Sequence, residues 1–145
     1  MNEPSPAAPA RILALDPGDA RIGVAVSDEL GMLAHPRPAI PGRDRAAALR
    51  AIADIVAAEG VREIIVGLPL SLSGERGPQA RAVEAFVADL RQAVAVPVRT
   101  ADERLTSAQA ARQAPSAARR RDGTLDSLAA ALLLQAELDA RRGAA

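Results

Sequence analysis

Short unbroken apolar runs alternate along the chain with longer stretches in which apolar residues recur every three or four positions, predicting strands and helices in turn. Residues 11–16 hold Ile12, Leu13, Ala14 and Leu15 and end in a carboxylate before Pro17 and Gly18, the pattern of a buried strand running into a turn. Residues 22–27 form a second run, closed by Asp28 and Gly31, so the two read as a hairpin. Residues 33–40 contain Pro36 and Pro38, which cannot donate to a ladder, and are expected at a sheet edge. Residues 43–59 then carry Leu49, Ile52, Ile55 and Val56 on one helical face, with Gly60 as the stop.

The second half repeats the alternation. Residues 63–67 include Ile64, Ile65 and Val66, a fully apolar run suited to a central parallel strand. A loop rich in Ser, Gly and Pro (68–78) leads to a helix over 79–93 with Val83, Phe86, Val87 and Leu90 on its apolar face. Residues 96–101 form a fifth strand, ending at Asp102, Glu103 and Arg104, and Thr106 or Ser107 can cap a helix through Arg112. After a basic loop (114–123), a last helix over 124–142 presents Leu125, Leu128, Ala129, Leu132 and Leu133 to the sheet. A hairpin followed by alternating strands and helices implies an α/β domain with a mixed sheet and helices packed on it.

Composition narrows the class. The 145 residues are 49% hydrophobic, enough for one domain over 11–145, while residues 1–10 carry three prolines and read as a disordered tail without the features of a secretory signal. The longest apolar runs, such as 128–134, fall short of the roughly 18 residues of a membrane span, so a cytoplasmic protein with no membrane partner is expected. Cysteine is absent, which leaves oxygen ligands or the lone His35 for any metal and favours hard cations. His35 lies between an apolar residue and Pro36, away from the predicted strand ends, and is assigned to structure. Eighteen basic and eighteen acidic residues balance, so nucleic-acid binding would depend on local patches. The single aromatic, Phe86, is expected in the core and leaves little on which bases could stack.

Ligands of open α/β sheets bind beyond the carboxyl ends of the strands, where Asp16 and Glu103 both fall, and Asp126 sits in the first turn of the predicted last helix. Three converging carboxylates need a cation, and two magnesium or manganese ions there would serve phosphodiester hydrolysis. Each acid has a plainer explanation. Asp16 suits the turn before Pro17 and Gly18, Glu103 could cap a helix or be solvated, and Asp126 could favour a helix N-terminus through the macrodipole.

Four blocks, in order, decide between these readings. They are Leu15-Asp16-Pro17-Gly18 with Arg21 to Asp28, Ile65-Val66-Gly67-Leu68-Pro69-Leu70 with Gly74 and Gly77-Pro78-Gln79-Ala80, Asp102-Glu103-Arg104-Leu105-Thr106, and Asp126 with Ala129, Ala130, Leu133, Leu134, Gln135, Leu138 and Asp139. Together they resemble the YqgF/RuvX family. The resemblance implies a ribonuclease H-like fold related to Holliday junction resolvases and a nuclease maturing the 5′ end of pre-16S rRNA, with branched DNA as the alternative substrate. It makes Asp16, Glu103 and Asp126 the catalytic metal ligands and Arg104 a phosphate or structural partner.

The chain departs from the family's pattern at Gly18-Asp19-Ala20-Arg21, where Gly-Thr-Lys-Arg is usual, so Arg21 alone would make the phosphate contact there. Glu137 replaces an aromatic in the last helix, a change expected to touch packing rather than catalysis. Arg112, Arg119, Arg120 and Arg121 could guide a phosphate chain, and the loop with Arg76 could offer backbone N–H groups to it, although solvated loops explain both. Two rivals remain. An ATP-binding protein of the actin and sugar-kinase type would need a second such domain, and a catalytically silent binding module in transcription or ribosome assembly would not need all three acids. A monomer is the simpler expectation for end trimming, and a two-fold dimer would suit a four-way junction.

Overall fold

A computed structural model describes residues 10–71, 73–105 and 127–143. Five strands, β1 (Arg11–Pro17), β2 (Arg21–Ser27), β3 (Ala34–Pro41), β4 (Val61–Leu68) and β5 (Val98–Asp102), form one sheet in the order β3-β2-β1-β4-β5. The pairs β1–β2 and β2–β3 are antiparallel, whereas β1–β4 and β4–β5 are parallel, so the sheet is mixed as expected. The proline-bearing strand β3 lies at an edge, where its missing donors cost nothing to a neighbour.

Two helices cover one face. Helix α1 (Arg45–Glu59) starts at Asp44, whose side chain accepts a bond from Ala47 N at 3.1 Å, and stops at Gly60 in the left-handed region. Helix α2 (Pro78–Ala93) opens with proline at its first position and buries Val83, Phe86, Val87 and Leu90, as their spacing predicts. Leu13, Leu15, Val24, Val26, Ile64 and Val66 meet these helices.

The last described helix, α3 (Leu128–Gly143), covers the opposite face and packs on Ile12, Ala14, Ala25 and Ile65. Its contact stripe differs from the predicted one: Ala129, Ala130, Leu133, Leu134 and Leu138 are buried, while Leu128 is exposed. Small side chains explain the rotation. Alanines on α3 meet Ala14 and Ala25 on the sheet, which lets the helix sit close, and hydropathy does not register that advantage. The predicted helix over 106–112, the loop over 114–123, the start of the last helix over 124–126 and the tail over 1–9 lie outside the described residues.

Two buried serines patch irregularities in the ladders. Where β1 and β4 shift register between Arg11 and Ile12, Ile12 N donates to Ser27 Oγ at 2.8 Å. Where β2 and β3 shift between Ile22 and Val24, Ser127 Oγ accepts from Val24 N at 2.9 Å and donates to Arg37 O at 2.6 Å. Ser127 is fully buried and fixes the root of α3 against both strands.

At the other end of the sheet, Glu63, Arg99, Glu137 and Arg141 alternate in sign. Arg99 lies 2.8 Å from Glu63 and 2.9 Å from Glu137, and Arg141 lies 2.7 and 2.8 Å from the same two acids. Burial pushes the Glu63 and Glu137 carboxyls up, but hydrogen bonds from Arg141 and Arg99 outweigh it and hold both below their ordinary value. Glu137 therefore ties α3 to the start of β5.

Candidate active site

Asp16 occupies the next-to-last position of β1, and strand alternation sets its direction. Ala14, two residues earlier, faces α3, so Asp16 points to the α3 side of the sheet. On β4 the α3-facing residue is Ile65, which puts Gly67 on the same side. Leu15 pairs with Val66, so Asp16 and Gly67 stand at the next level of two neighbouring strands. Glu103 follows β5 in a single turn of 3-10 helix spanning Glu103–Leu105.

The Glu103 side chain lies across Gly67. A Cβ built on Gly67 would stand 2.6 Å from Glu103 Oε1, 3.2 Å from its Cγ and 3.3 Å from its Cδ. Both acids are buried, Asp16 with 6% and Glu103 with 1% of its surface exposed, and Asp16 Oδ1 is fully enclosed. The structure thus brings together two of the three predicted acids on one face, at the carboxyl ends of the strands. Asp126 lies outside the described residues, and among the described residues no three His, Asp or Glu side chains gather into a metal-binding group. Its chain neighbour Ser127 is the residue anchored beside Val24, which pairs with Leu15.

Of the predicted phosphate contacts, Arg21 starts β2 next to the turn, and Arg76 is an exposed side chain 3.6 Å from Glu84. Arg104 folds onto Asp102, donating to Oδ1 from its own backbone N at 2.9 Å and from NH2 to Oδ2 at 2.7 Å. The Arg104 guanidinium beside Asp102 holds that carboxyl below its ordinary range. It also reaches the loop before α2, where a Cβ on Gly74 would be 3.4 Å from it. Arg112, Arg119, Arg120 and Arg121 lie outside the described residues.

At the start of that loop, Ser71 N donates to Glu75 O, Gly74 N to Ser71 O and Glu75 N to Ser71 Oγ, so these three N–H groups close a turn. Phe86 is in the core as predicted, with the Arg45 guanidinium 5.3 Å over its ring. His35 lies exposed on edge strand β3, opposite Val26. A cavity of about 320 Å³ opens on the α1–α2 side, between the turn at Gly18 and Asp19 and the start of α2, and does not include the two acids. Among the described residues, no helix is long and apolar enough to cross a membrane.

Two residues carry more of the site than their sequence context suggests. Gly67 reads there only as the end of a strand, although a glycine in a central strand marks a close approach by another group. Ser127 reads only as part of a helix, and no local pattern announces a bond to strands a hundred residues earlier.

A mixed five-stranded sheet with buried acids at the ends of β1 and β5 is a ribonuclease H-like α/β domain. Its structure aligns with that of T. thermophilus RuvC, solved in complex with a Holliday junction substrate, at a TM-score of 0.58 and 16% identity, covering 94% of this chain and 98% of that one. The chain belongs to the RuvX family, whose model, described as "Holliday junction resolvase", matches residues 10–140. Relatives named "Putative pre-16S rRNA nuclease" include one from Moorella thermoacetica, 45% identical over 132 residues covering 89% of this chain and 94% of that protein. Another, from Chloroflexus aggregans, is 44% identical over 134 residues, covering 90% and 94%.

Proposed function

We propose that this chain is a metal-dependent nuclease that hydrolyses phosphodiester bonds, acting in the cytoplasm on the 5′ end of pre-16S rRNA. The observation that carries the proposal is the convergence of Asp16 and Glu103, both buried, on one face at the ends of β1 and β5. Family membership and the names of the relatives support the same activity.

The donor set fits a hard divalent cation. The two buried acids there, Asp16 and Glu103, offer carboxylate oxygens, cysteine is absent, and His35 lies on the far edge strand. Asp16, Glu103 and Asp126 would hold magnesium or manganese, as one ion or a pair. When bound, such ions polarise the phosphodiester, lower the pKa of the attacking water and stabilise the leaving oxygen. The protein supplies the rest. Burial keeps the Asp16 and Glu103 carboxylates fixed in direction, and the Asp102–Arg104 pair braces the turn from which Glu103 projects. Arg21, Arg76 and Arg104, with Arg112, Arg119, Arg120 and Arg121, are the proposed contacts to substrate phosphates.

Incubation of the protein with a labelled pre-16S rRNA fragment, an unrelated single-stranded RNA and a four-way DNA junction tests this, with magnesium, manganese or chelator. The expected result is metal-requiring cleavage, strongest on the rRNA precursor. The family's description favours the junction as a second reading, and preferential cutting of that substrate would establish it. Failure of folded protein to cut any of the three with either metal would contradict the nuclease assignment.

A further inference from the structure

We infer that Gly67 is a positioning residue for Glu103: the space left by its missing side chain is the seat that aims the Glu103 carboxylate at Asp16. The inference deepens the proposed function and rests on it.

Gly67 is interior to the sheet. It pairs with Ala101 on β5, stands at the level of Asp16 on β1, and faces α3 like Ile65 two residues before it. Its φ is not in the left-handed region, so the backbone there does not require glycine. An interior strand position of ordinary conformation is normally better filled by a residue with a side chain. Here the side chain's place is taken by Glu103, with Oε1, Cγ and Cδ all within 3.3 Å of where a Cβ would be. The atom that would be met first is the end of a flexible side chain rather than backbone. A methyl group at position 67 therefore moves the carboxylate and leaves the sheet in place. Because Glu103 is 1% exposed, the displaced carboxylate has no solvent-filled space in which to reach the same point by another route.

The test compares wild type, Gly67→Ala, Glu103→Asp, Gly67→Ala/Glu103→Asp and Glu103→Gln, using the rRNA precursor fragment and the four-way junction as substrates. Two readouts are taken: cleavage rate at saturating substrate, and the rise in melting temperature on adding manganese chloride to the metal-free protein. Gly67→Ala is expected to lose at least tenfold in rate and most of the manganese-induced rise, while melting cooperatively without metal. Shortening residue 103 by one methylene makes room for the added methyl, so the double variant is expected to exceed Gly67→Ala in both readouts, although Glu103→Asp alone is worse than wild type. That reversal of sign is not produced by general damage to the sheet. If Gly67→Ala does not fold, recovery of folding in the double variant supports the clash with Glu103, and its absence overturns it. Wild-type behaviour of Gly67→Ala, or a double variant no better than Gly67→Ala, overturns the inference while leaving the nuclease reading intact. Wild-type cleavage and manganese response in Glu103→Gln would instead remove the site on which both rest.

Discussion

Asp16 and Asp19 are three residues apart and have opposite surroundings. Asp16 is enclosed at the end of a strand, and Asp19 stands exposed in the turn that follows, where a hydroxyl residue is usual in the family. An exposed carboxylate beside the path of a polyanion repels it weakly, by at most about 1 kcal/mol, the scale of surface charge pairs. Asp19→Asn is therefore expected to tighten substrate binding by up to roughly fivefold with the cleavage step unchanged. A comparison of KM and kcat at low and moderate salt checks this, and an unchanged KM would place Asp19 off the substrate path. The direction of Asp16 is legible in the sequence once Ala14 is known to face α3, since alternation does the rest. The seat of Glu103 on Gly67 is not legible, because it depends on two residues from different strands meeting across a register that no local pattern sets.

Among the elements, the strands and helices follow from periodicity, and the devices that join them do not. The apolar runs of β1, β2 and β4 and the faces of α1 and α2 stand where their spacing puts them. The bulge between β2 and β3 is bridged by a serine from the root of α3, about a hundred residues further along the chain. Removing the Ser127 hydroxyl leaves a buried donor on Val24 and a part-buried acceptor on Arg37, a cost of about 1–3 kcal/mol for the buried donor. Ser127→Ala should lower the urea midpoint accordingly with an unchanged slope, and an unchanged midpoint would mean that the two strands do not depend on that bridge.

The Glu63–Arg99–Glu137–Arg141 network gives α3 a pH-dependent hold on β4 and β5. Both carboxyls are lowered in the folded state, so their contribution is present above the ordinary value of 4.5 and is lost as pH falls through the lower folded values. Glu137→Gln is accordingly expected to melt below wild type at neutral pH, with the difference shrinking as the solution is acidified below 4.5. A difference independent of pH would assign the role of Glu137 to packing alone.

For the molecule as a whole, the class was readable from alternation, and the function from four ordered blocks rather than from any single motif. What periodicity could not supply is which helix covers which face. That arrangement matters, because α3 on one face and α1 with α2 on the other leave Asp16 and Glu103 on the side of the sheet that α3 covers, the helix whose root is pinned by Ser127. Among the described residues the site thus draws on several strands, with contributions from β1, β4 and the end of β5. The most direct test is single-turnover cleavage of the labelled rRNA precursor by wild type and Asp16→Asn across a manganese titration. Loss of a carboxylate ligand to the ion is expected to slow cleavage by roughly a hundredfold or more, since such an ion is worth several kcal/mol to the transition state. Wild-type cleavage that requires manganese, with Asp16→Asn folded and slow at every concentration, is the predicted result. Cleavage by Asp16→Asn at the wild-type rate, or by wild type in chelator, would contradict a nuclease built on these carboxylates.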